Sequence, residues 1–168
     1  VPNLVREMEA LGVRHSVILP IDFPFFSRNA ESTLAAVHGE PRLIGFGSVH
    51  PYAPNLERRL DAQVALGARG IKVHPAVQLV GPENERALRL YRLCAERRLP
   101  VLIHCGPVGI ELRIGRALTQ VRRYERAIVE SPRTTFILGH SGALQMEMAL
   151  ALCQRYPNAF LELSSQSL

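Results

Sequence analysis

The chain has 168 residues, of which 47% are hydrophobic and 21% charged, and its formal net charge is +5. That length suits one domain burying roughly two-thirds of its unfolded surface, and the composition excludes disorder, collagen and coiled coil. The basic excess sits in arginine pairs beside glutamates on helix-like segments (Arg58-Arg59, Arg97-Arg98, Arg122-Arg123), a solvated-face pattern that does not point to nucleic acid.

In chain order, Leu4, Met8 and Leu11 form a helical stripe, and His15–Pro20 reads as the first strand. Leu43–Val49 is the second strand, followed by a helix on Leu56, Leu60 and Val64, and Gly70–Val73 is the third. A helix on Ala87, Tyr91, Cys94 and Ala95 leads to the strand Pro100–His104. Thr134–Leu138 comes next, then a helix on Leu144, Met148, Ala151 and Leu152, and finally the strand Ala159–Leu163. The strands are continuous apolar runs, as expected of parallel strands covered on both faces.

Strands recurring every 25 to 35 residues or so make a βα repeat of structure. Two architectures fit, an open doubly wound sheet and a (β/α)8 barrel. No glycine-rich phosphate loop of the G-x-G-x-x-G or G-x-x-x-x-G-K-[ST] kind occurs. Polar residues instead collect at the C-terminal strand ends: Asp22, His50, His74, His104 and His140. Strands closed around an axis bring such side chains together, and barrel enzymes place their chemistry on that rim. The expected fold is therefore α/β, a (β/α)8 barrel.

Four of the six histidines stand at strand ends, and His15 and His38 read as surface or packing residues. Converging imidazoles suit zinc or a similar divalent ion. His104 closes an apolar strand and needs partners for its donor and acceptor. His140 has the same setting before Ser141-Gly142-Ala143, which reads as a helix start with Ser141 as N-cap, as substrate contact or as both. Lys72 and His74, two apart in a strand, share a face. Lys72 is the only lysine among 20 basic residues; its amine reads either as serving a task that guanidinium cannot perform, such as a lowered pKa, a Schiff base or carbamylation, or as a chance survivor in a salt bridge. His50 reads as structural. Asp22 and Glu162 are weaker candidates, because strand-end carboxylates often cap helices or pair with arginine. Cys105 reads as buried packing rather than a nucleophile, and Arg113 is one of too many arginines to single out.

At G-I-K-V-H-P (70–75), L-P-V-L-I-H-C-G (99–106) and F-I-L-G-H-S-G-A (136–143) the chain resembles the amidohydrolase superfamily. The narrower likeness is to the amidohydrolase-related branch, with its metal-dependent hydrolases and aminocarboxymuconate-semialdehyde decarboxylase-like enzymes. The resemblance runs over essentially the whole chain. It implies a (β/α)8 barrel holding one or two divalent metals, zinc foremost, with His104 and His140 as metal ligands. By that resemblance His140 corresponds to a residue that binds metal or acts as acid/base according to subgroup, so it and Lys72 are the candidate catalytic residues. His74, on the face of Lys72, and Ser141 are the candidate substrate-binding residues from their own positions. On the family's fourth strand, binuclear members carry a carboxylated lysine at the place of Lys72. The implied activity is hydrolysis of a C–N or C–O bond in a small organic substrate, or non-oxidative decarboxylation of an unsaturated or aromatic acid.

The family's first-strand His-x-His pair and eighth-strand aspartate have no counterpart here, so the chain reads as one barrel domain over 1–168, holding strands two to seven. A non-catalytic barrel lacking a complete metal site is the rival reading. No leader or membrane-span pattern is present, and three scattered cysteines (Cys94, Cys105, Cys153) form no disulfide framework. The expected setting is thus a reducing cytoplasm, with a small-molecule substrate, no nucleic-acid or membrane partner, and a second copy of the chain as a candidate partner.

Overall fold

The computed structural model describes residues 1–23 and 29–164. Helix α1 (Pro2–Ala10) precedes β1 (Ser16–Ile18), α2 (Asn29–Val37) leads to β2 (Leu43–Gly45), and α3 (Leu56–Ala65) to β3 (Ile71–Val73). The single-turn α4 (Pro75–Gln78) and α5 (Glu85–Glu96) follow, then β4 (Val101–His104), α6 (Arg113–Leu118) and α7 (Tyr124–Glu130). The remaining elements are β5 (Phe136–Gly139), α8 (Met146–Arg155) and β6 (Ala159–Leu161). Each expected strand is present, shorter than its apolar run.

All strand pairings are parallel: β1 lies on β2, and β3, β4, β5 and β6 follow one another in one sheet. A bridge between Gly47 and Ile71 joins the two groups, with Gly47 N donating to Gly70 O and Lys72 N donating to Gly47 O. Every strand therefore neighbours its successor in sequence. A doubly wound sheet reverses its order at a switch point. Nothing reverses among these strands, and the order is that of a (β/α)8 barrel wall.

Register assigns the faces. Lys72, Leu102, Ile137 and Phe160 lie level across β3 to β6. Their chain neighbours Ile71, Val73, Val101, Ile103, Phe136 and Leu138 point the other way, into the main core. Helix α5 covers that face. The Asn84 side chain caps it by accepting from Arg86 N at 2.9 Å, and Ala87, Leu88, Leu90, Tyr91, Leu93 and Cys94 are buried. Tyr91 meets Phe136 edge to face, 5.1 Å between centroids at 82°, an arrangement worth about 1 kcal/mol beyond its buried area.

Three helical stripes differ from expectation. In α1 only Met8 is buried, and Leu4 and Leu11 face solvent. In α3, Val64 is exposed and Gln63 is buried in its place. The Gln63 amide accepts from Ser48 N and donates to Ser48 O, both at 2.9 Å, standing in for a strand neighbour where β2 has ended. Around α8, Leu144 and Met148 are exposed while Ala149 and Leu152 are buried. The helix begins only at Met146, because residues 141–143 adopt non-helical φ/ψ.

Candidate functional site at the strand ends

The register that pairs Lys72 with Leu102 and Val73 with Ile103, carried one residue past the end of β3, sets His74 level with His104. Adjacent strands stand about 4.8 Å apart, so two rings at one level on one face must touch. They stack, with centroids 4.0 Å apart and planes 9° from parallel. His74 is also the N-cap residue of α4, and its amide donates to Gln78 Oε1 at 3.0 Å. Tyr124, buried at the start of α7, donates its hydroxyl to His104 O and holds the end of β4.

His140 reaches the cluster by a different route. Gly139, not His140, is the register partner of His104, so strict alternation would send the next side chain to the opposite face. The backbone of His140 is left-handed, with φ 55, and the ring stands 5.0 Å from that of His104 at 66°. Ser141 and Ala143 also have φ 48, a conformation costly for residues with a Cβ. The expected helix start at Ser141 is therefore a tight turn. Ser141 is fully buried and is not an N-cap; its amide and hydroxyl both donate to Glu162 O, at 2.8 and 3.1 Å. It braces the turn that carries His140. A Cβ on Gly106 would stand 1.8 Å from Gly142 O, so the loops after β4 and β5 meet backbone to backbone, two residues past each histidine.

Glu162, just beyond β6, is the residue the sequence underrated. Its Oε2 accepts from His140 N at 3.0 Å and from Ser164 Oγ at 2.9 Å, and its Oε1 accepts from Ser164 N. Burial works against its charge, but the hydrogen bonds from His140 and Ser164 outweigh it and hold the carboxyl below the usual range. The hint available in the sequence was only its position at a strand end.

Lys72 is 5% exposed. Burial pulls its ammonium down to about 8, against the pull of the Glu162 charge. Burial likewise lowers His74 to about 4 and His104 to about 3, helped by Lys72 and by the neighbouring imidazoles. Both rings are neutral near pH 7, the form that binds a metal or takes a proton.

The other strand-end residues stay outside the cluster. His50 Nε2 pairs with Gln78 O at 2.8 Å and its Nδ1 accepts from Tyr52 N, a structural role. Asp22 is buried, and its carboxylate accepts from Ala30 N at the start of α2. Cys105 packs in the core, where burial pushes its thiol well above the usual range. His15, His38 and Arg113 are exposed.

Metal fit can be judged from the donors. An ion lies near the plane of each imidazole that ligates it, so the stacked, near-parallel rings of His74 and His104 cannot share one. His104 and His140, crossing at 66°, do not meet that obstacle. Buried His74 Nδ1 has no hydrogen-bond partner among the described residues. No group of three or more His, Cys, Asp or Glu able to hold a metal occurs among the described residues. Two imidazoles are fewer than the three protein ligands usual in catalytic zinc sites.

The parallel βα wall of a barrel carries these imidazoles and the lysine at its C-terminal strand ends, the rim where barrel enzymes place their chemistry. The amidohydrolase family model matches residues 7–167, and the chain belongs to that family. No curated protein matches. Among solved structures, an uncharacterized TIM-barrel protein from Bordetella bronchiseptica superposes with TM-score 0.79 at 19% identity, covering 97% of this chain and 59% of that one. A probable 2-pyrone-4,6-dicarboxylic acid hydrolase from Acinetobacter baumannii, with citric acid bound, gives 0.67 at 15%, covering 98% and 59%. The 5-carboxyvanillate decarboxylase of Novosphingobium aromaticivorans, complexed with manganese, gives 0.68 at 22%, covering 95% and 57%. These likenesses show the fold, and the chain spans under two-thirds of each of these proteins. No helix among the described residues is long and apolar enough to cross a membrane.

Proposed function

We propose that the protein is a metal-dependent hydrolase of the amidohydrolase type, acting on a C–N or C–O bond of a small organic substrate. The observation that carries this reading is the crossing of His104 and His140 at the strand ends, 5.0 Å apart. His104 and His140 would hold a divalent ion, with further ligands from beyond the described residues. Such an ion supplies Lewis-acid polarisation when bound. The manganese of the 5-carboxyvanillate decarboxylase makes that ion a candidate beside zinc.

The chain's own residues supply the rest. With one ring nitrogen to offer, His140 either ligates the ion or moves a proton at the reacting atoms, braced in both cases by Glu162 through its amide and by Ser141 through the turn. The Lys72 ammonium, almost buried on the axis-facing side of β3, holds an anionic group of the substrate, and the face of His74 borders it. Cys105 takes no part.

A second reading, non-oxidative decarboxylation of an unsaturated or aromatic acid, is favoured by that same ammonium, since it can seat a carboxylate. It also agrees with the names of the 5-carboxyvanillate and 2,6-dihydroxybenzoate decarboxylases among the structural neighbours. Metal analysis of the purified protein, then turnover of hydrolysable esters, lactones and amides and of aromatic acids with and without chelator, tests both. Bound metal with chelator-sensitive product supports the enzyme, and the product tells hydrolysis from loss of carbon dioxide. No metal and no turnover leaves a non-catalytic barrel.

A further inference from the structure

We infer that Ser164 and Glu162 lock His140 in the tautomer protonated at Nδ1, so that the basic lone pair sits on Nε2. The direction of the hydrogen bonds follows from the donors and acceptors present. An ionised carboxylate only accepts. Ser164 Oγ, 2.9 Å from Glu162 Oε2, must therefore donate its single hydrogen to that oxygen. Its lone pairs are then what it offers to His140 Nδ1, 3.0 Å away, and the ring nitrogen must carry the proton. Ser164 O lies 3.3 Å from the same nitrogen and, as a carbonyl, also only accepts. Two acceptors converge on Nδ1, and one of them is polarised by a carboxylate.

The carboxylate itself is fixed in place. Glu162 Oε2 takes the His140 amide and Oε1 takes the Ser164 amide, so the acid is tied to both ends of the contact it directs. Glu162 O receives Ser141 N and Oγ, which sets the left-handed turn that aims His140 inward. One residue after β6 thus fixes both the direction of the ring and the nitrogen that holds its proton. Glu162 and Ser164 are positioning residues: they act through His140 and have no assigned contact with a substrate.

This deepens the proposed function and rests on it for its consequence, because a ligand or proton acceptor at His140 needs an unprotonated nitrogen, which must then be Nε2. The tautomer itself is independent of metal and substrate.

The test is heteronuclear NMR of the full chain with labelled histidine, without added metal and under alkaline conditions where imidazoles are neutral. The His140 signals are identified by their loss in His140→Asn. The expected result is an Nδ1–H pattern at His140, the reverse of the Nε2–H form that free imidazole side chains favour. Ser164→Ala and Glu162→Gln should each lose that pattern in favour of Nε2–H or a mixture, and Ser164→Thr should restore it. Ser164 is exposed, so its substitution keeps the test open if Glu162→Gln does not fold. An Nε2–H pattern in the unmodified protein, or an Nδ1–H pattern unmoved in every variant that folds, overturns the inference. Failure to find metal or turnover would sink the functional reading and leave the tautomer result standing.

Discussion

The ring of His74 lies flat on the ring of His104, 4.0 Å away and within 9° of parallel. His104 is buried and His74 half-buried, so a proton on either would face the other ring and the Lys72 ammonium at short range. The pair is therefore a liability in acid. In the folded chain the two rings resist protonation until about pH 4 and 3. In the unfolded chain they take up protons near 6.5. Between those values the unfolded state binds more protons, so stability is full above about 6.5 and falls as pH drops toward 4. Melting temperature followed from neutral to acid pH should decline across that window, and His104→Gln should flatten the decline. A level profile in the unmodified protein would refute the assignment.

Lys72 gives a cleaner titration, being the only lysine. A labelled lysine side chain should show one resonance with its midpoint at about 8, not near the ordinary 10.4 or so. Glu162→Gln removes the charge that raises it and should move the midpoint lower. The unfolded chain holds this proton to higher pH than the folded one, so Lys72 contributes rising stability from about pH 8 toward 10.4. A midpoint at the ordinary lysine value would mean the amine is solvated.

Gly106→Ala should be among the most damaging single substitutions. Its φ is +82, and the added methyl would stand 1.8 Å from the backbone oxygen of Gly142. Left-handed strain and a backbone clash together should cost about 2–5 kcal/mol. Gly39, with φ +84 but nothing within 4 Å, isolates the strain alone, and Gly39→Ala should cost about 1–2 kcal/mol. Chemical denaturation measures both, and equal losses would show that the 106–142 contact is unimportant.

Tyr91 and Tyr124 are both buried, yet their hydroxyls should respond oppositely to removal. The Tyr91 hydroxyl has no partner among the described residues, so Tyr91→Phe should be neutral or stabilising by up to about 1 kcal/mol. Tyr124 donates to His104 O, so Tyr124→Phe should cost about 1–2 kcal/mol by leaving a buried carbonyl unpaired. Unfolding curves compare the two, and a destabilised Tyr91→Phe would contradict the burial of an unmatched hydroxyl.

Much of the frame was legible in the chain itself. Apolar runs and helical stripes depend on neighbours a few residues away, so the number, order and parallel sense of the six strands could be read, as could the place of His104 at the end of β4. Stripes failed where burial depended on a distant contact. Gln63 displaced Val64 because Ser48 needed its amide, and the turn at 141–143 delayed α8 because Glu162 and Gly106 hold that segment.

The sequence by itself determined a βα wall of six strands with imidazoles at one rim, because side-chain periodicity and strand-ending prolines and glycines are local properties. Only the tertiary structure decided which imidazoles meet. Register stacks His74 on His104, a left-handed turn swings His140 to the same face, and His50 is drawn aside by Gln78. It also raised Glu162 from a strand-end acid to the residue holding His140, since that role needs β5 and β6 side by side. Such pairings join residues 20 or more apart in the chain, and no local pattern of side chains encodes them.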